Sequence, residues 1–476
     1  MRKPSEILIR CPLFVAEWLL QNSQLGNRTA SHWTIMRVAL TTLLLTFPIL
    51  GQTPEFDLLL KGGHVIDGKA RLSAVRDVGI KDGKVAAVAA NIAPDRATKT
   101  INVSGLYVTP GLVDIHVHVF QGPTLNSYAS GDFGLFPDTF TLRNGVTAVA
   151  DAGSSGWRTF EDFKTRIIDR SRTRVFAFLN IVGAGMGSGG IEQNMEDMEV
   201  KPTADMALKY KDYVVGIKSA HFTGSEWVPY ERAAEVSKIA NIPVMVDFGS
   251  ATRAGRTLDV LFTKYFRPGD IYTHMYGGRR GEQDPETRGP SQAMIAGRKK
   301  GIFFDVGHGG GSFQWSCAIP LMKAGFVPDS ISTDLHRSSA SRGMKDMLNV
   351  MSKFLAMGMS LDEVILRSTW NPAKQIKHEE LGHLSPGAVA DIAVLRLENG
   401  KFGFLDEANL RVDGTRKLVA EMTLRDGKIV YDLNGVGRGS WETVPFGQRP
   451  PSEPLWDGLA NQPSGARPRR TTTSAK

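Results

Sequence analysis

The sequence predicts an α/β chain in which a (β/α)8 TIM barrel is joined to a small composite β-sandwich domain. Two patterns predict this fold class. Between residues 110 and 377, short apolar runs alternate with helical stretches, and eight of these runs have the character of barrel strands. The flanking segments 56–109 and 378–434 contain β-type runs separated by turn residues. The 476 residues suffice for both parts, since such a barrel takes about 250 residues.

The segment before the barrel begins with the run Asp57–Leu60, which Gly62-Gly63 ends. Farther on, Asp82-Gly83 separates two short apolar runs and has the composition of a tight type I′ hairpin turn. After the barrel, residues 390–395 and 428–431 again have the pattern of strands. Because the two ends of a domain usually lie close together, we expect both segments to form one β-sandwich.

The first barrel strand, 112–119, contains His116 and His118 with one apolar residue between them. Side chains two residues apart on a strand point to the same side, so both imidazoles can bind one cation. Such a pair also occurs in cores and on surfaces, but here it follows Thr109-Pro110-Gly111 at the start of the barrel. The remaining strands are expected at 146–151, 175–182, 214–219, 243–248, 270–274, 302–306 and 330–334.

Three of the later strands also end in an ionisable residue: Lys218, His274 and Asp334. Any one of them could be a structural accident, and a salt bridge inside the barrel is the alternative for Lys218. In barrels of this kind, however, the functional residues stand at the carboxyl ends of the strands. Together with the histidine pair, the three residues predict a polar site at the mouth of the barrel.

At this point the sequence resembles the amidohydrolase superfamily, in particular its deacetylase-like and dihydroorotase-like branch. The resemblance covers about residues 56–433. Its markers, in chain order, are the run 110–118 that ends in the histidine pair, Asp334, Asn371-Pro372-Ala373, and the spaced Gly382, Leu384, Gly387, Ala390 and Asp391.

The resemblance implies a centre of one or two divalent metal ions, usually zinc. Its ligands would be the histidine pair, Lys218 as a bridging lysine that carries carbon dioxide as a carboxylate, histidines from the fifth and sixth strands, and Asp334. His274 matches the sixth strand, but Asp247 stands where the fifth strand should offer histidine. A carboxylate can also bind zinc or manganese. We therefore expect Asp247 among the ligands. Two alternatives are left open: the second ion is absent, or it is bound differently, for example by His221.

The resemblance also implies the chemistry. A bound ion lowers the pKa of its water from about 15.7 towards 7 and polarises a carbonyl. Asp334 is the expected general base and catalytic residue, besides being a ligand. His308, in a glycine-rich run like one in the related branch, and Tyr276 and Arg279 on the sixth loop are the candidate substrate contacts. Arg279 could hold a substrate carboxylate; a structural histidine and a solvated arginine are the alternatives.

The predicted function is hydrolysis of an amide or ester bond, with deacylation or deacetylation of a small carboxylate-bearing substrate as the leading hypothesis. A cyclic-amide hydrolase of the dihydroorotase or hydantoinase kind and an acylamino-acid hydrolase are the enzyme alternatives. A barrel that has lost catalysis and serves as a binding protein is the alternative of another class. Metal content would separate it from the enzymes, because a binding module should purify without stoichiometric metal.

The two ends of the chain have a different character. Residues 36–52 combine a basic start with an apolar run shorter than the roughly 20 residues of a membrane span, which indicates a secretory signal peptide; a buried or interfacial helix is the alternative. We interpret residues 1–35 as an upstream extension or a disordered segment, and residues 435–476 as a flexible tail. An exported protein, periplasmic or extracellular, is expected, with no stable membrane span after signal removal.

The composition, with 42% hydrophobic and 22% charged residues, is that of an ordinary globular protein and excludes a disordered chain or a polytopic membrane protein. The net charge of +8 is accompanied by no nucleic-acid recognition motif, so no nucleic-acid partner is expected. The expected partner is the small-molecule substrate of the predicted enzyme. Of the two cysteines, Cys11 lies in the doubtful extension before the signal that begins near Met36, so no intrachain disulfide is expected in the mature protein. A homo-oligomer is left open.

Overall fold

The computed structural model describes residues 54–121, 134–187, 190–249 and 256–448. The expected extension 1–35 and signal peptide 36–52 lie outside the described residues, as do residues 449–476 of the expected tail. Within the described residues, no helix is both long enough and apolar enough to cross a membrane.

The strands of the described residues are, in chain order, β1 (Phe56–Asp67), β2 (Leu72–Lys81), β3 (Lys84–Ala89), β4 (Ala97–Asn102), β5 (Tyr107–Pro110), β6 (Leu112–Val117), β7 (Val146–Gly156), β8 (Arg174–Asn180), β9 (Val214–Ser219), β10 (Val244–Val246), β11 (Ile271–Tyr272), β12 (Phe303–Phe304), β13 (Ile392–Leu405), β14 (Arg411–Arg425) and β15 (Lys428–Asp432).

The helices of the same residues are α1 (Phe160–Arg166), α2 (Val200–Lys209), α3 (Val228–Ala240), α4 (Leu258–Val260), α5 (Gln292–Lys300), α6 (Trp315–Lys323), α7 (Arg337–Ala340), α8 (Met347–Ala356), α9 (Leu361–Leu366) and α10 (Trp370–Gln375). A π-helix, Leu261–Tyr265, continues α4. Short 3-10 turns lie at Pro94–Arg96, Pro137–Thr139, Leu142–Asn144, Ile168–Arg170, Ile191–Gln193, Met195–Asp197 and Trp441–Thr443.

The flanking segments contribute strands to one mixed sheet. Its order is β15-β14-β13-β5-β1-β2-β3, and β4 pairs with β1. The two segments meet where β5 pairs antiparallel with β13, with Thr109 opposite Ala393. Asp82 and Gly83 join β2 to β3 with φ of 50° and 74°, the two positive angles that a type I′ turn requires. Both segments therefore build one sheet, and its arrangement as a sandwich stays a prediction.

The strands between the flanking segments form a parallel sheet in the order β12-β11-β10-β9-β8-β7-β6. The segment 330–335 joins the two edges of this sheet: Ser330 bridges Asp305 beyond β12, and Leu335 bridges Val117 of β6, both in the parallel sense. This segment takes the place of the expected eighth strand. The sheet thus curls round until its first and last strands share a neighbour.

Several strands are shorter than the sequence pattern predicts at the end where the polar residues lie. β10, β11 and β12 contain three, two and two residues, respectively. The chain leaves the regular ladder just beyond them, and Gly249, His274 and Gly307, which follow β10, β11 and β12, have positive φ values of 78°, 64° and 45°.

An apolar cluster lies inside the curled sheet and supports the polar end. It contains Val113, Phe178, Met245 and Ile271 from four different strands, together with Ala373 of α10. Met245 lies opposite Lys218 in the pairing of β10 with β9, and its sulfur is 3.7 Å from Lys218 Nζ. The apolar core therefore ends directly beneath a buried lysine.

Candidate metal centre and adjoining cavity

His116, His118 and Asp334 converge at the polar end of the parallel sheet. His116 is in β6, His118 follows it, and Asp334 comes from the segment that closes the sheet. Asp334 Oδ1 lies 3.1 Å from His118 Nε2 and 3.7 Å from His116 Nε2. The potential ligand atoms of the three residues all lie within 4.8 Å of one another, and all three residues are buried. This arrangement can hold a metal ion.

The hydrogen bonds of the two histidines fit such a role. His116 Nδ1 lies 2.8 Å from Thr273 Oγ1, and Thr273 donates its own hydroxyl hydrogen to Asp305 Oδ2 at 2.8 Å. Thr273 can then only accept from His116, so the proton is on Nδ1 and the lone pair on Nε2 faces Asp334. His118 Nδ1 lies 3.0 Å from Ser154 Oγ. Metal-binding histidines are commonly oriented by a second partner in this way, and the donor set suits zinc.

Lys218 lies where the sequence predicts it, at the end of β9. Its Nζ is 3.1 Å from His116 Nε2, and its side chain is buried. Burial lowers the pKa of Lys218, although three nearby aspartates oppose the shift. The neutral amine is the form that can take up carbon dioxide.

Asp247 and His274 form a second group beside the first. The rings of His274 and His116 lie 4.9 Å apart between centroids. Asp247 Oδ2 lies 3.4 Å from His274 Nε2 and 3.2 Å from His221 Nε2, and Asp247 Oδ1 accepts from Arg280 Nη2 at 3.1 Å. Burial by itself would raise the pKa of Asp247, but His274 and Arg280 hold it well below its usual value. The carboxylate is therefore ionised.

The protonation states of His116 and Asp334 in the first group follow from their surroundings. Burial, and then the nearby Lys218 charge, lower the pKa of His116 to about 3, so its imidazole is neutral. Burial would raise the pKa of Asp334, but His116 and His118 lower it far below its usual value. A neutral imidazole and an ionised carboxylate are the protonation states that bind a divalent cation.

A cavity of about 320 Å³ adjoins the second group, and Asp247 and His221 are among the residues that line it. Arg279 lines it, has half of its side chain exposed and pairs with Glu407. Arg280 also lines it but is buried, where it contacts Asp247 and donates to the carbonyl of Gly249. The other described lining residues are Phe222, Thr223, Phe248, Gly249, Arg256, Gly311 and Ser312.

Two predicted substrate contacts lie elsewhere. His308 is buried, stacks on Phe313 and contacts Lys353 Nζ through Nε2. Tyr276 is buried too, and its hydroxyl donates to the carbonyl of Phe326 at 3.3 Å. The described lining of the cavity includes neither side chain. Tyr276 and His308 follow β11 and β12 in the chain, but the direction of each side chain depends on packing that the sequence pattern does not contain.

The structure adds residues that the sequence reasoning did not single out. Thr273, Asp305 and Ser154 orient the two histidines, directly or through one hydroxyl. Arg280 forms an ion pair with the ionised Asp247, whereas the sequence pattern points only to its neighbour Arg279. His336, two residues beyond Asp334, has its ring centroid 6.2 Å from that of His118. Its place in the run 331–336, beside a predicted ligand, is the one signal that could have found it.

Comparison with known proteins decides the family. The chain is 31% identical to a deacetylase of Agrobacterium fabrum over 324 residues, which cover 66% of this chain and 77% of the relative. It is 30% identical to a deacetylase of Brucella anthropi over 358 residues, 73% of this chain and 86% of the relative. A family model described as "Amidohydrolase family" matches residues 315–430. The chain belongs to the amidohydrolase family. This amidohydrolase is accordingly a hydrolytic enzyme that acts on carbon–nitrogen bonds.

Solved amidohydrolase-like structures agree with the fold. An adenine deaminase matches with a TM-score of 0.72 and 27% identity, over 79% of this chain and 100% of the other. A dihydroorotase matches with a TM-score of 0.68 and 28% identity, over 79% of this chain and 99% of the other. The α/β fold with a curled parallel sheet is therefore shared with enzymes of the same family. These two enzymes are named for different activities.

Proposed function

We propose that this amidohydrolase removes an acyl group from a small amide or ester that carries a carboxylate, with the help of one or two divalent metal ions. The observation that carries the proposal is the convergence of His116, His118 and Asp334, with the second group beside it opening on a cavity that Asp247 and Arg279 line. We favour acetyl as the acyl group because two relatives at about this level of similarity are named deacetylases.

His116 Nε2, His118 Nε2 and an oxygen of Asp334 would hold the first ion, for which zinc fits the donor atoms. A divalent ion at such a site supplies an acidified water and polarises the scissile carbonyl. Asp334 is ionised and would accept the proton of the attacking water, then deliver it to the leaving nitrogen or oxygen. His116 is neutral with its proton held towards Thr273, so it serves as a ligand and not as an acid.

We propose further that Lys218 carries carbon dioxide. Its lowered pKa favours the neutral amine, whose nitrogen forms the bond to the carbon of carbon dioxide and loses one proton. The product is an anionic carbamate, and its oxygens can bind cations as carboxylates do. Asp247 and His274 are the residues that would join it in holding a second ion.

For the substrate carboxylate we propose Arg279. The guanidinium lines the cavity, half exposed, and its partner Glu407 is a carboxylate that a substrate carboxylate could replace. Bidentate pairing of arginine with a carboxylate gives both affinity and orientation. Arg280 is less suited, because it is buried and already contacts Asp247.

The test is acetate release by protein that has been stripped of metal and reloaded with zinc and bicarbonate. N-acetyl amino acids would be compared with their uncharged amides and with cyclic amides. We expect zinc-dependent hydrolysis of the N-acetyl amino acids, lost in His118→Ala and kept in the control His64→Ala, since His64 lies in β1 and contacts Ser73. Activity on cyclic amides alone would replace the proposal by the cyclic-amide hydrolase, and failure to bind zinc would favour the binding protein.

We also propose that the mature protein is exported, on the basis of the basic start and apolar run of residues 36–52. Expression of the full chain in a host with a secretion pathway should give a protein outside the cytosol whose amino terminus lies just beyond residue 52. An uncleaved chain that stays in the cytosol would contradict export.

A further inference from the structure

The turn Gly307–Gly309 packs directly against the metal centre. Its two glycines have positive φ values of 45° and 56°. The carbonyl oxygen of Gly307 lies 2.5 Å from His274 Nδ1 and must accept from it. A Cβ on Gly309 would lie 3.3 Å from Asp334 Cγ and well inside contact with Oδ2. The placement of this turn therefore sets where His274 and Asp334 stand.

The side chain between the two glycines points away from the centre. The His308 ring stacks on Phe313, with centroids 4.5 Å apart and planes 10° from parallel. Its Nδ1 lies 2.9 Å from the carbonyl oxygen of Gly309. Since a carbonyl oxygen only accepts, Nδ1 carries the proton, and Nε2 is left to accept a hydrogen bond.

Lys353 supplies that hydrogen bond. It lies within α8, is fully buried, and donates from Nζ to His308 Nε2. The same Nζ donates to the carbonyls of Gly343 at 2.8 Å and Leu405 at 2.6 Å. Each of the three N–H groups of the Lys353 ammonium thus has one hydrogen-bond acceptor. Leu405 ends β13 of the mixed sheet, so Lys353 connects the turn to a helix and to the second sheet.

The electrostatics agree with this direction of donation. Burial, and then the nearby Lys353 charge, lower the pKa of His308 well below its usual value, so the imidazole is neutral and one ring nitrogen must accept. Burial lowers the pKa of Lys353 to about 7. A lysine is rarely buried completely, and this one has acceptors for all its hydrogens.

We infer that Lys353 is a positioning residue of the metal centre, which acts through His308 to hold the turn Gly307–Gly309 against His274 and Asp334. The resemblance to the family favours His308 as a substrate contact, whereas the geometry gives both ring nitrogens an internal partner. The inference rests on the proposed function only where activity is the readout. The histidine tautomer and the affinity for zinc can be measured without a substrate.

The tautomer is tested first, on metal-free protein with nitrogen-15 in its histidines. Lys353→Met keeps most of the buried volume and removes the donor. We expect long-range proton–nitrogen spectra to show His308 as the Nδ1–H form in both proteins, because the Gly309 carbonyl is kept, and to show a displaced Nε2 resonance in Lys353→Met, because Nε2 loses its donor. A wild-type Nε2 resonance that does not change in that variant would overturn the inference.

Zinc affinity is tested next, with a matched control on the same helix. Loss of an outer partner that contacts a metal ligand typically weakens metal binding by about 10–100-fold, and we expect the lower end, about 10-fold, for Lys353→Met because it acts through His308 and the turn. Ser352→Ala is the control. The Ser352 hydroxyl bonds the carbonyl of Leu348 and accepts from Leu418 N, so the variant loses a buried contact to the mixed sheet without touching the turn. Equal zinc affinity in Lys353→Met and the wild type would refute a positioning role.

A double-variant cycle tests the route through His308. His308→Phe keeps the stack on Phe313 and removes both nitrogens, so Lys353→Met should add little in that background. Full additivity of the two losses in zinc affinity would contradict the route. If Lys353→Met does not fold, His308→Phe and His308→Gln decide instead, because glutamine can accept from Lys353 and should restore part of the affinity. Once a substrate is known, kcat should fall in Lys353→Met while KM stays unchanged.

Discussion

Replacing Gly309 with alanine should disable the enzyme while leaving it folded. The residue has φ of 56°, a conformation that costs an L-residue with a side chain about 1–2 kcal/mol. The added Cβ would also overlap Asp334 Oδ2, so the carboxylate must move by roughly 1 Å, and a displacement of that size at a reacting group can cost about 100-fold in rate. At about 1.36 kcal/mol for each factor of ten, this corresponds to roughly 2.7 kcal/mol of lost transition-state stabilisation.

The assay compares kcat/KM, zinc content and thermal unfolding of Gly309→Ala with those of Gly310→Ala. A Cβ on Gly310 would meet its nearest neighbour, Arg342 Cδ, at 3.7 Å, an ordinary contact, so this variant is a control one residue away. We expect Gly309→Ala to lose about 100-fold in kcat/KM, because the Asp334 carboxylate is displaced. The Tm should fall by a few degrees at most. Equal activity of the two variants would refute the reasoning, because Asp334 would then not depend on the position of the turn.

Three further changes test single residues of the site. Asp334→Asn should lower kcat by about 10²–10⁴-fold if Asp334 moves the proton, as measured by acetate release at saturating zinc. Arg279→Leu should raise KM by roughly 10–100-fold for a carboxylate-bearing substrate and leave KM for its uncharged amide unchanged, since a hydrogen bond to a charged group contributes about 1.5–3 kcal/mol. Thr273→Val should weaken zinc binding about 10–100-fold in calorimetry, and Thr273→Ser, which keeps the hydroxyl, should restore it.

The sequence contains most of the information on the strands and on the residues that end them. Apolar runs between turn residues predict β6 and β9 almost to the residue, because a buried strand must be apolar on both faces. The strands β10 to β12 are predicted too long, since their pairing ends before the predicted last residues, and the chain turns to positive φ at His274 after β11 and at Gly307 after β12. A run of apolar residues does not distinguish a paired residue from one that has just left the sheet.

The residues that orient the site could not be predicted in the same way. His116 and Thr273 are 157 positions apart, and Thr273 is a common residue type whose hydroxyl matters only because Asp305 lies on its other side. Side-chain direction is equally hidden: Arg279 and Arg280 are neighbours, yet one lines the cavity half exposed while the other is buried against Asp247. Such roles arise from contacts between residues far apart in the chain, and the local sequence pattern does not predict these contacts.

The aspartate on the fifth strand has a partner that explains how it is tolerated. A neutral histidine in that place would need no counter-ion, whereas Asp247 adds a buried negative charge that Arg280 Nη2 meets at 3.1 Å. Asp247→His should therefore leave the Arg280 guanidinium without its nearer carboxylate partner. The other carboxylate beside it, that of Glu282, lies 3.9 Å away. Breaking a buried pair costs about 3–5 kcal/mol, and we expect a loss at the lower end of this range because Glu282 remains.

Adding Arg280→Met to Asp247→His should recover most of the lost free energy of unfolding, measured in urea, since the unpaired guanidinium is then removed. Zinc stoichiometry of the double variant bears on the second ion: one ion in the wild type and two in the double variant would mean that Asp247 pairs with Arg280 instead of binding metal. Two ions in both would make Asp247 a ligand. If Asp247→His alone is as stable as the wild type, the two residues do not compensate each other, and the departure from the family pattern has another cause.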